Sequence, residues 1–179
     1  MIDSIKKILF TGSLNDEYLS DLVADLSETI DEHKLELFSY SNSNNQNQLS
    51  NVKALMESDV CKMDLIVSIG GDGTMLKSSK LASNHDVPIT GINKGRLGFL
   101  TDINPELVSD ALKEIIQGDY QIESRMLLDV KISNGNEERF IGHAVNDLVI
   151  NKTKTGRMIN VQTSLNDTYV NSNEGDGYI

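Results

Sequence analysis

Cysteine is nearly absent. Cys61 stands alone among 179 residues, so no internal disulfide can form and the chain suits a reducing cytosol. No stretch approaches the ~20 consecutive apolar residues that span a bilayer. The N-terminus, Met-Ile-Asp-Ser-Ile-Lys-Lys-Ile-Leu-Phe, passes directly into a strand-like pattern without the apolar region of a signal peptide. A cytoplasmic protein with no membrane partner is the expectation. Positive charge is also short: 16 Lys and Arg stand against 27 Asp and Glu, for a net charge of −11. Nucleic-acid binders draw affinity from basic side chains on phosphates, so that class of partner is excluded. A nucleotide substrate is not, because a local loop and a divalent cation offset the overall field. His33, His85, His143 and Cys61 are too scattered for structural zinc, and no protein metal site is expected. The chain has no Gly-x-Ser-x-Gly elbow, no Walker loop and no Gly-x-Gly-x-x-Gly fingerprint.

What is present reads as a globular protein, with 39% hydrophobic and 24% charged residues, enough for one core or for a domain plus part of another. Ile5–Phe10 reads as a strand, followed by a turn at Thr11-Gly12-Ser13. A helix is expected over Asp16–Ile30, with Leu19, Leu22, Val23, Leu26 and Ile30 on one stripe. Leu35–Tyr40 is strand-like, the polar run Ser41–Gln48 a surface loop, and Leu49–Met56 a short helix. Helix Met75–Leu81 and strand Pro88–Ile92 follow. This alternation predicts an open, mostly parallel α/β sheet, with ligands at the carboxyl ends of its strands. In the helix Asn104–Gln117, Asn104 caps, Pro105 takes the first turn, and Leu107, Val108, Ala111, Leu112, Ile115 and Ile116 form the buried stripe. Gly118 stops it. Beyond it the texture turns to β: strands over Leu127–Ser133, Phe140–Ile150, Met158–Leu165 and Thr168–Asn171, with turns at Asn134-Gly135-Asn136 and Asn166-Asp167. The expected division is 1–118, an α/β nucleotide-binding domain, and 119–179, a β-rich domain.

Residues 64–76, Asp-Leu-Ile-Val-Ser-Ile-Gly-Gly-Asp-Gly-Thr-Met-Leu, carry the most chemistry. An apolar β-branched run breaks into Gly70, Gly71, Asp72, Gly73 and Thr74, and a helical pattern follows. The glycines let a bulky anion approach main-chain N–H groups, and the helix start supplies a positive dipole end. A loop built only for phosphate gains nothing from the carboxylate of Asp72. Its presence points to a group that takes a proton, or holds a metal, beside the phosphate, and so to phosphoryl transfer. Taken alone, the segment also fits a plain strand-to-helix turn with Asp72 as a capping residue.

Further motifs narrow the choice. Gly91-Ile92-Asn93-Lys94-Gly95-Arg96-Leu97-Gly98-Phe99-Leu100-Thr101-Asp102, then Ala144-Val145-Asn146-Asp147-Leu148-Val149-Ile150, then Gly175-Asp176-Gly177 complete a series. With the glycine loop, these resemble the NAD kinases, which phosphorylate the 2′-hydroxyl of the adenosine ribose of NAD from ATP or polyphosphate to give NADP. The resemblance runs from about residue 5 to 179. The Gly-Gly-Asp-Gly element is shared with phosphofructokinases and with diacylglycerol and sphingosine kinases; the other motifs are more particular.

The resemblance implies a phosphofructokinase-like α/β domain followed by a β-rich domain, with Asp72 as the catalytic base. It implies Gly70, Gly71, Gly73 and Thr74 as the phosphate loop. NAD contacts fall to Asp72 itself, Gly73 against the nucleotide, Lys77 near the phosphates, and Phe99 near the adenine. Asn146 and Asp147 hold the adenosine, Arg157 lies by the dinucleotide, and Asp176 stands near the nicotinamide end. A divalent ion, magnesium, enters with ATP, and a homo-oligomer (dimer or tetramer) is implied. Glu174 and Gly175 depart from the arginine and serine that many members carry, which bears on the nicotinamide side. The family's next motif would follow Gly177, so the β-rich part is expected to be truncated and the 179 residues inactive by themselves. The alternatives are a lipid kinase sharing the glycine loop and a non-catalytic nucleotide-binding fragment.

Overall fold

The computed structural model describes residues 4–12, 16–40, 51–94, 98, 100–101, 103–135, 137–153 and 156–179. The polar run at 41–48 and Phe99 lie outside them. Two compact units emerge, residues 1–125 and 126–179.

The first unit is an α/β layer structure. Five strands, β1 (Lys7–Gly12), β2 (Glu36–Tyr40), β3 (Val52–Leu55), β4 (Leu65–Gly70) and β5 (Ile89–Asn93), form one sheet in the order β3-β2-β1-β4-β5. Every pairing is parallel. Such a sheet must be covered on both faces, and the pleat sorts its residues accordingly. Ile8, Phe10, Leu65, Val67 and Ile69 face one core, which α1 (Asp16–Asp25) and α4 (Val108–Gln117) close with Leu19, Leu22, Leu112 and Ile116. Leu9, Phe38 and Ile66 face the other, where α3 (Asp72–His85) supplies Ala82. Val60 and Met63 join them from a 3-10 turn over Glu57–Lys62 and its C-cap.

Several local expectations shift. The helix expected over Asp16–Ile30 distorts at Leu26 and continues as α2 (Ser27–His33). Helical bonds from Leu26 N–H to Leu22 O and from Ile30 N–H to Leu26 O carry the path across. The helix expected at Leu49–Met56 is instead strand β3 where it is described. Val52 and Leu55, three residues apart, look like one helical face, but in a strand they point to opposite faces, and each enters a different core. Lys53 secures this edge strand by an ion pair with Glu36 at 2.6 Å and by lying 5.6 Å from the Phe38 ring centroid. Helix α3 begins at Asp72, earlier than Met75, and runs on to His85. In the last helix, Asn104 accepts from Glu106 N–H, but Pro105–Leu107 is a 3-10 turn that leaves Leu107 exposed. Gly118, at φ +92°, closes α4 in the left-handed conformation. Tyr120 still packs on the first core.

The second unit is antiparallel β. Strands β6 (Leu128–Ser133) and β7 (Glu138–Ala144) form a hairpin. β9 (Ile159–Leu165) and β10 (Thr168–Gly175) form another, across Asn166 and Asp167, both at positive φ as a two-residue hairpin turn demands. β8 (Ile150–Asn151) pairs with β11 (Gly177–Tyr178). The strand expected over Phe140–Ile150 stops at Ala144, and the backbone bends at Val145 and Asn146. No helix among the described residues is long and apolar enough to cross a membrane.

Candidate active site

Strand order fixes where a ligand meets this sheet. From β1 the chain moves outward to β2 and β3, then returns beside β1 as β4 and moves the other way to β5. The reversal lies between β1 and β4, and a crevice outside the carboxyl ends of these strands is the usual ligand position in open α/β sheets. The glycine turn after β4 and Gly12 at the end of β1 meet there.

Thr74 knits the two strand ends together. A Cβ on Gly12 would lie 2.6 Å from Thr74 Cγ2, and one on Gly70 would lie 2.5 Å from Thr74 Oγ1. Gly12, at φ +105°, also has Ile69 O where its Cβ would be. These two glycines are required by the fold itself. Gly71 and Gly73 are different: among the described residues a Cβ on either meets nothing within 4 Å. Gly71 caps α3 at φ −100° and ψ −172°, a conformation open to any residue, and its O accepts from the N–H groups of Thr74 and Met75. Gly73 sits in the first turn of a helix, where glycine costs about 1 kcal/mol relative to alanine. Among the described residues nothing requires glycine at either position.

Asp72 opens the helix, half-buried. Its Oδ1 accepts from Leu100 N–H at 3.1 Å. Gly98 rests directly on it: a Cβ there would fall 2.1 Å from Asp72 Oδ1 and 2.6 Å from Cγ. The segment beyond β5 is tied at its base, Asn93 N–H to Ile103 O at 2.9 Å and Ile103 N–H to Gly91 O at 3.4 Å. It thus leaves the sheet and comes back beside it, laying Gly98 and Leu100 on the carboxylate. The two glycine-containing motifs, more than twenty residues apart in sequence, make one site.

Below the turn, α3 is anchored by a buried hydroxyl chain. Ser78 Oγ lies 2.8 Å from Thr11 Oγ1 and accepts from Ser68 Oγ at 3.0 Å. These bonds fix the helix against β1 and β4, and with it the position of Asp72. Lys77 is exposed on the same helix. Lys94 donates its N–H to Gly70 O at 3.1 Å, and its Nζ lies 4.8 Å from the ring centroid of Tyr18 on α1. Burial pushes the Tyr18 phenol up from its ordinary value, so the ring faces this cation as a neutral phenol. Among the described residues no three His, Cys, Asp or Glu side chains gather to hold a metal ion.

In the second unit, Asn146 and Asp147 are exposed at the bend after β7, not inside a strand, and Asn146 Nδ2 donates to Asp147 Oδ2 at 3.1 Å. Arg157 is exposed just before β9. Asp176 is three-quarters exposed and takes an ion pair from Lys152 Nζ at 2.5 Å, while Lys152 N–H donates to Asp176 O. The β8–β11 register, Gly177 opposite Asn151, puts Asp176 next to one end of that ladder. Sequence reasoning missed Gly12, Gly98 as the lid on Asp72, and the Lys94–Tyr18 and Lys152–Asp176 pairs. Gly98 and Lys94 stood in one glycine-rich run, Gly12 in a turn and Asp176 in the Gly-Asp-Gly motif, but no local pattern pointed to these contacts.

A family model described as the ATP-NAD kinase N-terminal domain matches residues 14–120. The NAD kinase of Aromatoleum aromaticum is 46% identical over 116 residues, covering 65% of this chain and 39% of that protein. The NAD kinase of Thiobacillus denitrificans is 44% identical over 116 residues, covering 65% of this chain and 40% of that protein. The chain thus spans about 40% of the length of these curated relatives. Among solved structures, yeast NADH kinase complexed with NADH is similar with a TM-score of 0.78 at 19% identity, covering 98% of this chain and 57% of that one. An NAD kinase from Archaeoglobus fulgidus in complex with ATP gives 0.64 at 21% identity, covering 96% and 58%. At such identities the likeness shows the fold.

Proposed function

Because the chain belongs to the NAD kinase family, we propose that it serves transfer of the terminal phosphoryl group of ATP or polyphosphate to the 2′-hydroxyl of the adenosine ribose of NAD. The observation that carries this reading is the seat of Asp72. A carboxylate stands at the positive end of a helix, at the reversal of the strand order, with Gly98 and Leu100 N–H fixing its orientation. Beside it are two glycines, Gly71 and Gly73, that no described residue crowds. A phosphate-only loop has no use for that carboxylate; a hydroxyl nucleophile does.

In this reading Asp72 takes the proton of the ribose hydroxyl as its oxygen attacks the terminal phosphorus. The bond from that phosphorus to the bridging oxygen breaks, ADP or the shortened polyphosphate departs with the bond's electrons, and the proton stays on Asp72. Gly71 and Gly73 give the phosphates access to the first N–H groups of α3. The helix dipole and these N–H groups stabilise charge on the transferred group. A divalent cation, magnesium, arrives on the donor's phosphates as part of the substrate. Asn146 and Asp147 hold the adenosine, with Phe99 near the adenine, Lys77 and Arg157 along the dinucleotide, and Asp176 toward the nicotinamide. The protein works in the cytoplasm as a homo-oligomer. Membership of this family, rather than of the lipid kinases, weighs against the lipid acceptor.

The test is NADP formation by the native protein with NAD, ATP and magnesium, read through an NADP-specific dehydrogenase, for the wild type and Asp72→Asn. General-base assistance is worth about 10²–10⁴-fold. The variant loses that much turnover while retaining NAD affinity; turnover near wild type removes Asp72 from the chemistry.

A further inference from the structure

Gly91 is required by space, not by conformation. It lies within β5, opposite Ser68 of β4, and its φ is not positive, so the backbone would accept a side chain. The room for one is already taken. A Cβ on Gly91 would fall 2.9 Å from Thr101 Cγ2, 3.1 Å from Met75 Sδ and 3.3 Å from Leu100 O. Met75 belongs to the first turn of α3, three residues after Asp72. Leu100 and Thr101 belong to the segment that returns to the sheet after β5. The strand, the helix that carries Asp72 and the segment that covers it therefore converge on one missing side chain.

Thr101 is held there by its methyl group. The residue is fully buried, at 0% exposure, and its Oγ1 has no hydrogen-bond partner among the described residues. A hydroxyl without a partner fixes no position and costs stability, so the packing of Cγ2 against Gly91 locates the residue. Leu100 goes with it, one peptide bond away, and Leu100 N–H is the group that donates to Asp72 Oδ1 at 3.1 Å. We propose that Gly91 is a positioning residue for Asp72: its missing side chain sets how deeply Thr101 sits, and thereby where Leu100 N–H meets the carboxylate. The consequence for turnover rests on the reading of Asp72 as the base of phosphoryl transfer. A merely structural Gly91 would govern stability alone.

Two readouts separate these roles: kcat and both KM values for NADP formation, and hydrogen exchange of the Leu100 amide by NMR, which needs no activity. Gly91→Ala must displace Thr101 Cγ2 by about 0.5 Å to reach ordinary contact at 3.4 Å. Since about 1 Å of misplacement costs on the order of 10²-fold, kcat is expected to fall about tenfold with both KM values nearly unchanged. The Leu100 amide is expected to exchange about tenfold faster, its bond to Asp72 having loosened. Thr101→Ser adds no atom and leaves a gap instead of a clash, and it is expected to loosen the same amide. Together the two substitutions move one methyl group across the contact, so the double variant is expected to return both readouts to within about threefold of wild type. A melting temperature that falls in Gly91→Ala while kcat and the Leu100 amide stay as in wild type overturns the proposal. So does a double variant no better than Gly91→Ala. A wild type that forms no NADP, but whose Leu100 amide loosens in each single variant and tightens in the double, sustains the positioning of Asp72 while refuting NAD as the acceptor.

Discussion

Replacing Gly98 by alanine adds one methyl group to the site and tests whether the segment after β5 positions the Asp72 carboxylate, the base of the proposed reaction. The new Cβ would lie 2.1 Å from Asp72 Oδ1, where ordinary contact begins at 3.4 Å, so the two must separate by about 1.3 Å. The clash also involves Cγ at 2.6 Å and Oδ2 at 2.8 Å, so rotating the carboxylate in place does not relieve it. Either Asp72 swings away or the segment lifts, and lifting breaks the 3.1 Å bond from Leu100 N–H that orients Oδ1. Misplacing a reacting group by about 1 Å costs on the order of 10²-fold in rate. The lost hydrogen bond removes about 1 kcal/mol of net stability. Gly98→Ala is therefore expected to lower kcat for NADP formation about 100-fold while the melting temperature drops by only a few degrees. Adding the same methyl to Asp72→Asn, already without its base, should cost little further turnover, because the two changes damage one step. Turnover of Gly98→Ala within about threefold of wild type, or full additivity in the double variant, would refute the idea that Gly98 seats the base.

The glycine turn itself divides by experiment. Gly70→Ala drives a Cβ to 2.5 Å from Thr74 Oγ1 and should lower the melting temperature, whereas Gly71→Ala meets none of the described residues within 4 Å and should leave it unchanged while weakening ATP binding; equal effects on stability would sink the distinction. Ser78→Ala removes the shared partner of Thr11 and Ser68, and urea denaturation should show a loss of about 1–3 kcal/mol. An unchanged midpoint would mean those hydroxyls are satisfied elsewhere. Asn146→Ala should weaken NAD binding by about an order of magnitude with an unaltered circular dichroism spectrum, since a nucleotide polar group loses its partner; unchanged affinity returns the bend after β7 to a structural role.

The sequence by itself determined strands β1, β2, β4 and β5 and the glycine turn after β4, the stop at Gly118 and the hairpin turn at Asn166-Asp167. Each is a local property: apolar periodicity, capping chemistry and positive-φ turn residues act within a few positions of themselves. Tertiary structure decided the rest. Val52 and Leu55 read as a helical stripe because three-residue spacing is a helical signal; the neighbouring strand and two covered faces made them a strand. The apolar pattern of Phe140–Ile150 suggested one continuous strand, yet pairing ends at Ala144 and the chain bends. The glycines looked alike in sequence. Only packing separates Gly12 and Gly70, whose missing Cβ atoms make room for Thr74, from Gly71 and Gly73, which no described residue crowds. Gly98 on Asp72 and Lys94 on Tyr18 are contacts between residues 26 and 76 positions apart. No local rule reaches across such separations; the pairing of β5 with β4 brings the first contact together, and the return of β4 beside β1 the second.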